Sequence, residues 1–169
     1  MHAQEFRVER VEVERVLALR QAVLRPHLGP QQRFELPDDR LESTLCLGAV
    51  LSDGTVVGTA RLTREPPPFD ARAQRSWRLR GMATAPSFRR RGVGSAIMRV
   101  LGAHVSAEGG GVLWCNARLA AVGFYEQGGL RRWGEVWDEP EIGPHVVMWT
   151  EVPAAGAARA RAAGAEHDG

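Results

Sequence analysis

One short segment of the chain combines arginines with glycines: Arg89, Arg90, Arg91, Gly92, Val93 and Gly94. It lies between a strand-like apolar run over residues 77–83 and a helical pattern over residues 93–105. Glycines let the backbone approach a ligand closely, and the first N–H groups of a helix have no acceptor within the helix. The helix dipole and the arginine side chains add positive charge there. The segment therefore predicts a site for an anion such as a pyrophosphate.

The spacing of the glycines separates this segment from two common phosphate-binding motifs. Its pattern is Arg-x-x-Gly-x-Gly, from Arg89 to Gly94, and no Gly-Lys-Ser or Gly-Lys-Thr follows, as a P-loop requires. The dinucleotide-binding fingerprint has glycines at its first, third and sixth positions, which this segment does not match. We therefore expect a phosphate-bearing ligand of another kind.

A second segment offers a group that can give a proton. Tyr125 is the single tyrosine of the chain and falls in a helical pattern over residues 119–126. A phenol can protonate a leaving group, whereas a core aromatic beside Phe124 is the alternative interpretation. Cys115 precedes it in an apolar run. A nucleophilic role is conceivable for this cysteine, but we favour burial as a small apolar side chain.

The charges of the chain are unevenly distributed, although the net charge is only +2. Residues 61–99 contain ten arginines and two acids, whereas residues 133–151 contain five acids and no arginine. A positive middle suits a polyphosphate ligand, and a negative C-terminal part suits a cationic one. Two solvated faces of a domain would give the same pattern, so both interpretations stay open.

Composition argues against several classes of protein. No apolar run reaches the roughly 18 residues that a membrane span requires. The segment from Met1 to Arg10 is charged and lacks the apolar stretch of a signal peptide, so we expect a cytoplasmic protein. Cys46 and Cys115 lie in apolar runs, and no clustered Cys/His spacing suggests a metal site. The arginines have too few accompanying aromatics for stacking on nucleic acid.

Apolar periodicity and turn residues predict a mixed α/β domain with a βαβ unit after its centre. Strands are expected over residues 5–10, 44–51, 55–62, 76–83, 112–115, 130–136 and 145–151. Helices are expected over residues 13–24, 93–105 and 119–126. We expect one domain over residues 1–152 and a disordered Ala/Gly/Arg tail over residues 153–169.

Taken together, these segments resemble the GNAT superfamily of N-acetyltransferases over roughly residues 5–150. The Arg-x-x-Gly-x-Gly segment resembles the family's acyl-CoA pyrophosphate loop, and residues 79–86 resemble its central strand. The late signature of the family is matched by Ala121, Phe124, Tyr125, Gly129 and Leu130. The chain looks most like small bacterial members that share Val-Leu-Arg-Pro, here residues 23–26, and Gly-Pro-His, here residues 143–145.

The resemblance implies a fold and a set of roles. The fold would be a central mixed, mostly antiparallel sheet of six to seven strands, splayed between its central strands and flanked by about four helices. Tyr125 would protonate the departing CoA thiolate, and the backbone of residues 82–84 would contact the pantetheine arm and the acetyl carbonyl. The residues implied in acetyl-CoA binding are Met82, Ala83, Thr84, Arg89, Arg90, Arg91, Gly92, Val93, Gly94, Ser95, Asn116 and Arg118.

One position departs from the family pattern, and one role stays open. Many members have Asn seven residues before the tyrosine, where this chain has Arg118, and its Asn116 lies two residues earlier. Either Asn116 or Arg118 could therefore contact CoA. The general base is open among His145, which titrates in the useful range, the carboxylates Glu135, Glu141 and Glu126, and a chain of water molecules.

The activity implied by the resemblance is acetyl transfer from acetyl-CoA, the cosubstrate, to a primary amine of a small molecule or protein, by direct attack in a ternary complex and without a metal. The acidic C-terminal part suggests a cationic acceptor. Homodimers are common in the family. No nucleic-acid or membrane partner is expected. A non-catalytic acyl-CoA sensor or partner domain with the same fold is the alternative, because fold does not dictate function.

Overall fold

The structure is a computed structural model that describes residues 5–29 and 31–157. Its strands are β1 (Phe6–Arg10), β2 (Leu45–Leu51), β3 (Val56–Arg64), β4 (Ser76–Thr84), β5 (Gly111–Arg118), β6 (Arg131–Glu139) and β7 (Gly143–Val152). Its α-helices are α1 (Leu17–Leu24), α2 (Val93–Ala107) and α3 (Val122–Gln127), and residues 155–157 are also helical. Short 3₁₀ helices cover Val13–Arg15, Pro86–Phe88 and Leu119–Ala121.

The seven strands form one sheet in the order β1-β2-β3-β4-β5-β7-β6. β4 and β5 pair in parallel, whereas β1–β2, β2–β3, β5–β7 and β6–β7 are antiparallel. The parallel ladder joins three residue pairs, from Ser76–Val112 to Arg78–Trp114, although β4 has nine residues. This mixed, mostly antiparallel sheet confirms the predicted fold class.

The chain folds as two compact units, and the first comprises the residues up to Thr63, Leu79–Val100 and Pro140–Ile142. Its apolar core includes a cluster of buried side chains from the start of the chain and from β2: Val11, Val13, Val16, Leu17, Cys46 and Val50. Val16 is fully buried between the first 3₁₀ helix and α1. Burial of these side chains supplies the main driving force for this unit.

Among the described residues, the second unit comprises Arg64–Arg78, Leu101–Glu139 and residues 143–157. β5 and β7 pair over eight residues, and this ladder places Cys115 opposite Met148. Both side chains are buried, at 1% and 0% exposure, as expected for Cys115. β6 is the edge strand of the sheet, and eight of its nine residues are exposed.

Several elements differ in length from the sequence prediction because their ends depend on pairing partners. β5 continues from Cys115 to Arg118, since its polar residues still pair with β7. β6 continues to Glu139 past an irregularity between Trp133 and Trp137, where Gly134 has a φ of 71°. Residues 158–169 of the predicted tail lie outside the described residues, so the domain boundary stays a prediction. No helix among the described residues is both long and apolar enough to span a membrane.

Candidate functional site

The arginine–glycine segment forms a tight turn that leads into α2. The preceding 3₁₀ helix ends at Phe88, the turn covers residues 89–92, and α2 begins at Val93. Within the turn, Arg90 and Gly92 have positive φ angles of 61° and 79°. A left-handed conformation is uncommon for arginine, and such strain is often found at binding sites. The positive φ angle of Arg90 therefore makes this turn a candidate binding segment.

The N-terminus of α2 presents N–H groups that the helix itself does not use. The N–H of Ala96 donates to the carbonyl of Gly92 at 3.0 Å, so the N–H groups of residues 93–95 have no intrahelical acceptor. All three arginines of the turn are exposed, and the guanidinium of Arg91 lies 5.1 Å from the ring centroid of Phe88. N–H groups, helix dipole and exposed arginines together fit a diphosphate.

Gly58 of β3 fixes the position of this helix start. A Cβ at Gly58 would lie 2.4 Å from Cγ1 of Val93 and 3.1 Å from Cδ1 of Ile97. Both of these side chains are buried, at 1% and 0% exposure. Because no side chain fits at position 58, the first turn of α2 packs directly on the β3 backbone.

The strand β4 contains the residues assigned to the pantetheine arm and the acetyl group, namely Met82, Ala83 and Thr84. Gly81 precedes them with a φ of 64°, and a glycine of this conformation inside a strand marks a bulge or a close approach. We call residues 80–82 the Gly81 kink. The strand ends at Thr84, and a 3₁₀ helix begins at Pro86.

A buried ion cluster, which was not predicted from the sequence, lies against the Gly81 kink. Arg20 of α1 and Arg61 of β3 both contact the carboxylate of Asp39, with N···O distances of 2.7 Å and 3.2 Å. The two arginines are 0% exposed and Asp39 is 8% exposed. A Cβ at Gly81 would lie 3.0 Å from Nε of Arg20. Glycine at this position therefore allows the guanidinium to approach the strand.

Tyr125 lies on α3 in the second unit and is 5% exposed. Its hydroxyl and the thiol of Cys115 hydrogen-bond to each other. Burial raises the pKa of Tyr125 well above its ordinary value and raises the pKa of Cys115 to about 12. Both groups are therefore neutral near pH 7: Tyr125 keeps a proton to donate, and Cys115 lacks the thiolate that a nucleophile needs.

The two candidates for the CoA arm follow Cys115 along β5. Asn116 is exposed, and Arg118 is half-buried. Their register partners on β7 are Val147 and His145. Successive strand residues face opposite sides of a sheet, so the amide of Asn116 faces away from the side that carries the Cys115 thiol. The exposed Asn116 amide has the donor and acceptor groups to bind a peptide-like pantetheine arm.

His145 lies in β7 and is buried, with 6% exposure. Its Nδ1 lies 2.8 Å from the carbonyl oxygen of Gly143, and its ring centroid lies 5.9 Å from that of Trp137. A carbonyl accepts a hydrogen bond, so the neutral ring carries its proton on Nδ1 and its lone pair on Nε2. The arrangement leaves Nε2 as the basic nitrogen.

The carboxylates considered as alternative bases are all exposed. Glu126 lies 3.6 Å from Arg132, and Glu141 lies 3.5 Å from His27. Glu135 lies in the irregular part of β6. Among the described residues, no group of three or more His, Cys, Asp or Glu side chains is arranged to hold a metal ion.

A signal for the missed ion cluster exists in the sequence. Arg20 stands three residues after Leu17 on the helix face that is otherwise apolar, and Arg61 stands between Ala60 and Leu62 in a buried strand. Arginine is rarely fully buried unless it is paired. Arginines at apolar positions of two elements, together with an aspartate in the intervening loop, could have indicated a buried cluster.

The family model described as the acetyltransferase (GNAT) family matches residues 13–129. The N-acetyltransferase YitI of Bacillus subtilis strain 168, named as uncharacterized, is 34% identical over 142 residues, which are 84% of this chain and 93% of that protein. These matches cover both the turn before α2 and Tyr125.

Solved structures share the fold. The ribosomal-protein-S18-alanine N-acetyltransferase of Escherichia coli superposes with a TM-score of 0.66 at 16% identity, covering 89% of this chain and 96% of that one. An aminoglycoside 6'-N-acetyltransferase complexed with coenzyme A gives a TM-score of 0.65 at 13% identity, with coverage of 86% and 97%. The family match covers more than half of the chain, and a protein named as an N-acetyltransferase is 34% identical to it. The shared fold agrees with both matches. The chain therefore belongs to the GNAT family and is an N-acetyltransferase.

Proposed function

We propose that the protein transfers an acetyl group from acetyl-CoA to a primary amine by direct attack, without a covalent enzyme intermediate. The turn at residues 89–92, with the N–H groups of residues 93–95 and three exposed arginines, is the observation that supports this most. It offers the donors that the diphosphate of CoA requires. Binding of CoA by a structural neighbour, the aminoglycoside acetyltransferase, agrees with the proposal.

The proposed chemistry needs one bond to form and one to break. The amine nitrogen attacks the thioester carbon, so that a C–N bond forms and the carbonyl oxygen becomes an oxyanion. When the oxyanion collapses, the C–S bond breaks and its electron pair stays on sulfur. The thiolate then takes a proton, while the nitrogen gives one up to a base. The protein must therefore stabilise an oxyanion, supply one proton and accept another.

Tyr125 is the proposed acid. Its raised pKa keeps the phenol protonated near pH 7, which an acid for a thiolate requires. The proton that Tyr125 shares with the thiol of Cys115 would have to turn toward the CoA sulfur when the thiolate departs.

His145 is the proposed base, with a water chain as the remaining route. Donation from Nδ1 to Gly143 leaves Nε2 able to accept a proton. Glu126 and Glu141 are weaker candidates, because each is exposed and already contacts another side chain, Arg132 and His27 respectively.

The proposed acceptor is a cationic amine. Glu135, Asp138 and Glu139 are exposed on β6, and Glu141 is exposed in the following turn. Carboxylates in this number attract cations, which favours polyamines, aminoglycosides and N-terminal amines. The structural neighbours named above act on an aminoglycoside and on an alanine of a ribosomal protein. The cytoplasmic location and the homodimer remain predictions from the sequence.

The test is a panel of amines incubated with the protein and acetyl-CoA, with release of the CoA thiol as the readout. We expect at least one cationic amine to accelerate thiol release above the rate without amine, and mass spectrometry to find one acetyl group on its nitrogen. A matched reaction with acetylated pantetheine in place of acetyl-CoA should be slower, because it lacks the diphosphate. If the protein binds acetyl-CoA but no amine accelerates release of the CoA thiol, the protein would instead be an acyl-CoA sensor.

A further inference from the structure

The buried cluster beside β4 contains more positive than negative charge. Oδ2 of Asp39 accepts hydrogen bonds from Nη1 of Arg20 at 2.7 Å and from the N–H of Leu36 at 2.6 Å. Oδ1 accepts one from Nη1 of Arg61 at 3.2 Å, and the same nitrogen donates to the carbonyl of Pro37. One buried carboxylate thus serves two buried guanidinium groups, and the exposed carboxylate of Asp38 adds a weaker attraction to Arg61.

The cluster also leaves hydrogen-bond donors unused. Nε and Nη2 of Arg20, and Nε of Arg61, are buried and have no hydrogen-bond partner among the described residues. Unpaired buried donors and charges are unfavourable for folding. Buried polar groups without hydrogen-bond partners are expected mainly at positions that function requires.

Stability alone does not account for Arg20. Without it, Arg61 and Asp39 would form a one-to-one ion pair, and Asp39 would still accept from Leu36. Removing one partner of a buried ion pair is costly when it leaves a buried charge unpaired, but here the carboxylate of Asp39 would keep Arg61 as its partner. The second guanidinium therefore needs an explanation outside the fold.

The position of Arg20 supplies that explanation. A Cβ added at Gly81 would lie 3.0 Å from Nε of Arg20 and 3.5 Å from its Cζ. Met82 follows Gly81 directly and begins the segment proposed to contact the thioester. A fixed positive charge in a dry environment stabilises an oxyanion more strongly than it would in water.

We infer that Arg20 is a positioning residue for acetyl transfer: held by Asp39, its guanidinium supports the Gly81 kink and keeps one uncompensated positive charge behind the backbone that binds the thioester carbonyl. This inference rests on the proposed function. Arg61 shares Asp39 and so prevents the carboxylate from neutralising Arg20 completely. The exposed arginines of the turn before α2 have a different task, because they face the solvent.

The test compares Arg20→Met, Arg20→Lys and a control, Arg40→Met, which removes an exposed arginine of the same unit that pairs with Glu35 and Glu14. Arg20→Met should unfold at the wild-type denaturant concentration or higher. Its kcat should fall about tenfold or more, with KM for acetyl-CoA within about threefold of wild type. Arg20→Lys should recover part of kcat because it retains the charge. Arg40→Met should keep the wild-type kcat.

A second readout does not depend on turnover. An unreactive ketone analogue of acetyl-CoA reports the local field through its carbonyl stretching frequency. The frequency of the bound analogue should rise in Arg20→Met, because less positive charge then polarises the carbonyl, and should be unchanged in Arg40→Met. If the wild-type protein binds the analogue but acetylates no amine, the proposed function is wrong. The frequency shift in Arg20→Met would still show whether Arg20 polarises the bound carbonyl.

Four results would overturn the inference about Arg20. The first is a wild-type kcat in Arg20→Met, and the second is an equal loss of kcat in Arg20→Met and Arg20→Lys. The third is an Arg20→Met protein that does not fold, because this would show that the cluster is needed for structure. An unchanged carbonyl frequency in Arg20→Met would also contradict it.

Discussion

Tyr125 and Cys115 form a hydrogen-bonded pair inside the second unit, and this pair decides what each residue can do. The chain has one tyrosine, and its place in a family signature predicted a role as an acid. The structure adds that the thiol of Cys115 is its partner. The sequence could not show this contact, because the two residues belong to different elements that meet only in the folded chain.

Replacing Tyr125 by Phe tests the proposed acid. The ring volume is nearly kept, so the core should stay packed, while the departing thiolate loses its proton donor. We expect kcat to fall by roughly 10²–10⁴-fold and the dissociation constant of acetyl-CoA, measured by calorimetry, to change little. Phe124→Leu is the control, because it alters the neighbouring ring without removing a hydroxyl. A Tyr125→Phe variant with the wild-type kcat would exclude this role.

The thiol of Cys115 predicts a pH dependence of stability. Its pKa is raised from 9.0 to about 12 in the folded protein, so the neutral thiol favours folding fully below the unfolded pKa of about 8.5, and this contribution is lost as the pH rises toward 12. Cys115→Ser keeps a hydrogen-bonding partner for Tyr125 but does not titrate there. We expect the free energy of unfolding, measured by urea titration between about pH 9 and 11, to fall more steeply with pH for the wild-type protein than for Cys115→Ser. The difference in slope should correspond to about one proton released on unfolding. Parallel curves would show that the thiol is not shielded from water.

At the scale of elements, the turn before α2 and the strand β3 determine where the N–H groups of the helix lie. The glycine-rich pattern predicted the turn and the start of α2 because both follow from local backbone preferences. The close contact between Gly58 and Val93 could not be predicted from the sequence, since it depends on how a helix packs on a strand far from it in the chain. The Arg20–Asp39–Arg61 cluster was not predicted either, although arginines at apolar positions of α1 and β3 are a signal for it.

Two glycine substitutions should have opposite effects on stability. Gly58→Ala places a Cβ 2.4 Å from Cγ1 of Val93, and such overpacking costs about 1–3 kcal/mol. Gly102 lies inside α2 with no atom within 4 Å of an added Cβ, so Gly102→Ala should stabilise the protein by about 0.5–1 kcal/mol. Urea denaturation of both variants checks these values. Equal effects of the two substitutions would show that α2 does not pack tightly on β3.

The edge strand β6 shows how far periodicity can predict an element. Its apolar residues predicted a strand, but its exposed residues and its irregularity between Trp133 and Trp137 follow from pairing with β7 on one side only. Bulges and charged side chains on an edge strand discourage pairing with other chains. The carboxylates of this strand are accordingly exposed to ligands in solution.

At the scale of the whole molecule, the separation of charge along the chain is the feature that the sequence predicted most directly. Arginines dominate residues 61–99 and acids dominate residues 133–151. The structure shows that the three arginines of the turn and the acids of β6 are exposed, whereas Arg20 and Arg61 are buried inside the protein. Counting charges in a sequence cannot distinguish these two cases.

Neutralising the acidic residues tests the proposed preference for a cationic acceptor. In the triple variant Glu135→Gln, Asp138→Asn and Glu141→Gln, we expect KM for a cationic amine to rise about tenfold at low salt, because the attraction between opposite charges is lost. KM for acetyl-CoA should be unchanged. The difference should shrink at high ionic strength. A triple variant with the wild-type KM for every amine that reacts would refute the preference.

Calorimetric titration with acetyl-CoA decides whether the turn before α2 binds the diphosphate of CoA. We compare the wild-type protein with Gly92→Val and with Gly54→Val, because both glycines have positive φ angles, 79° and 88°, and open space around them. The two substitutions should strain the backbone similarly, but only Gly92 belongs to the turn. We predict saturable binding by the wild-type protein, at least about tenfold weaker binding by Gly92→Val, and unchanged binding by Gly54→Val. Absence of heat with folded wild-type protein at millimolar acetyl-CoA, or equal affinities of the two variants, would contradict the claim.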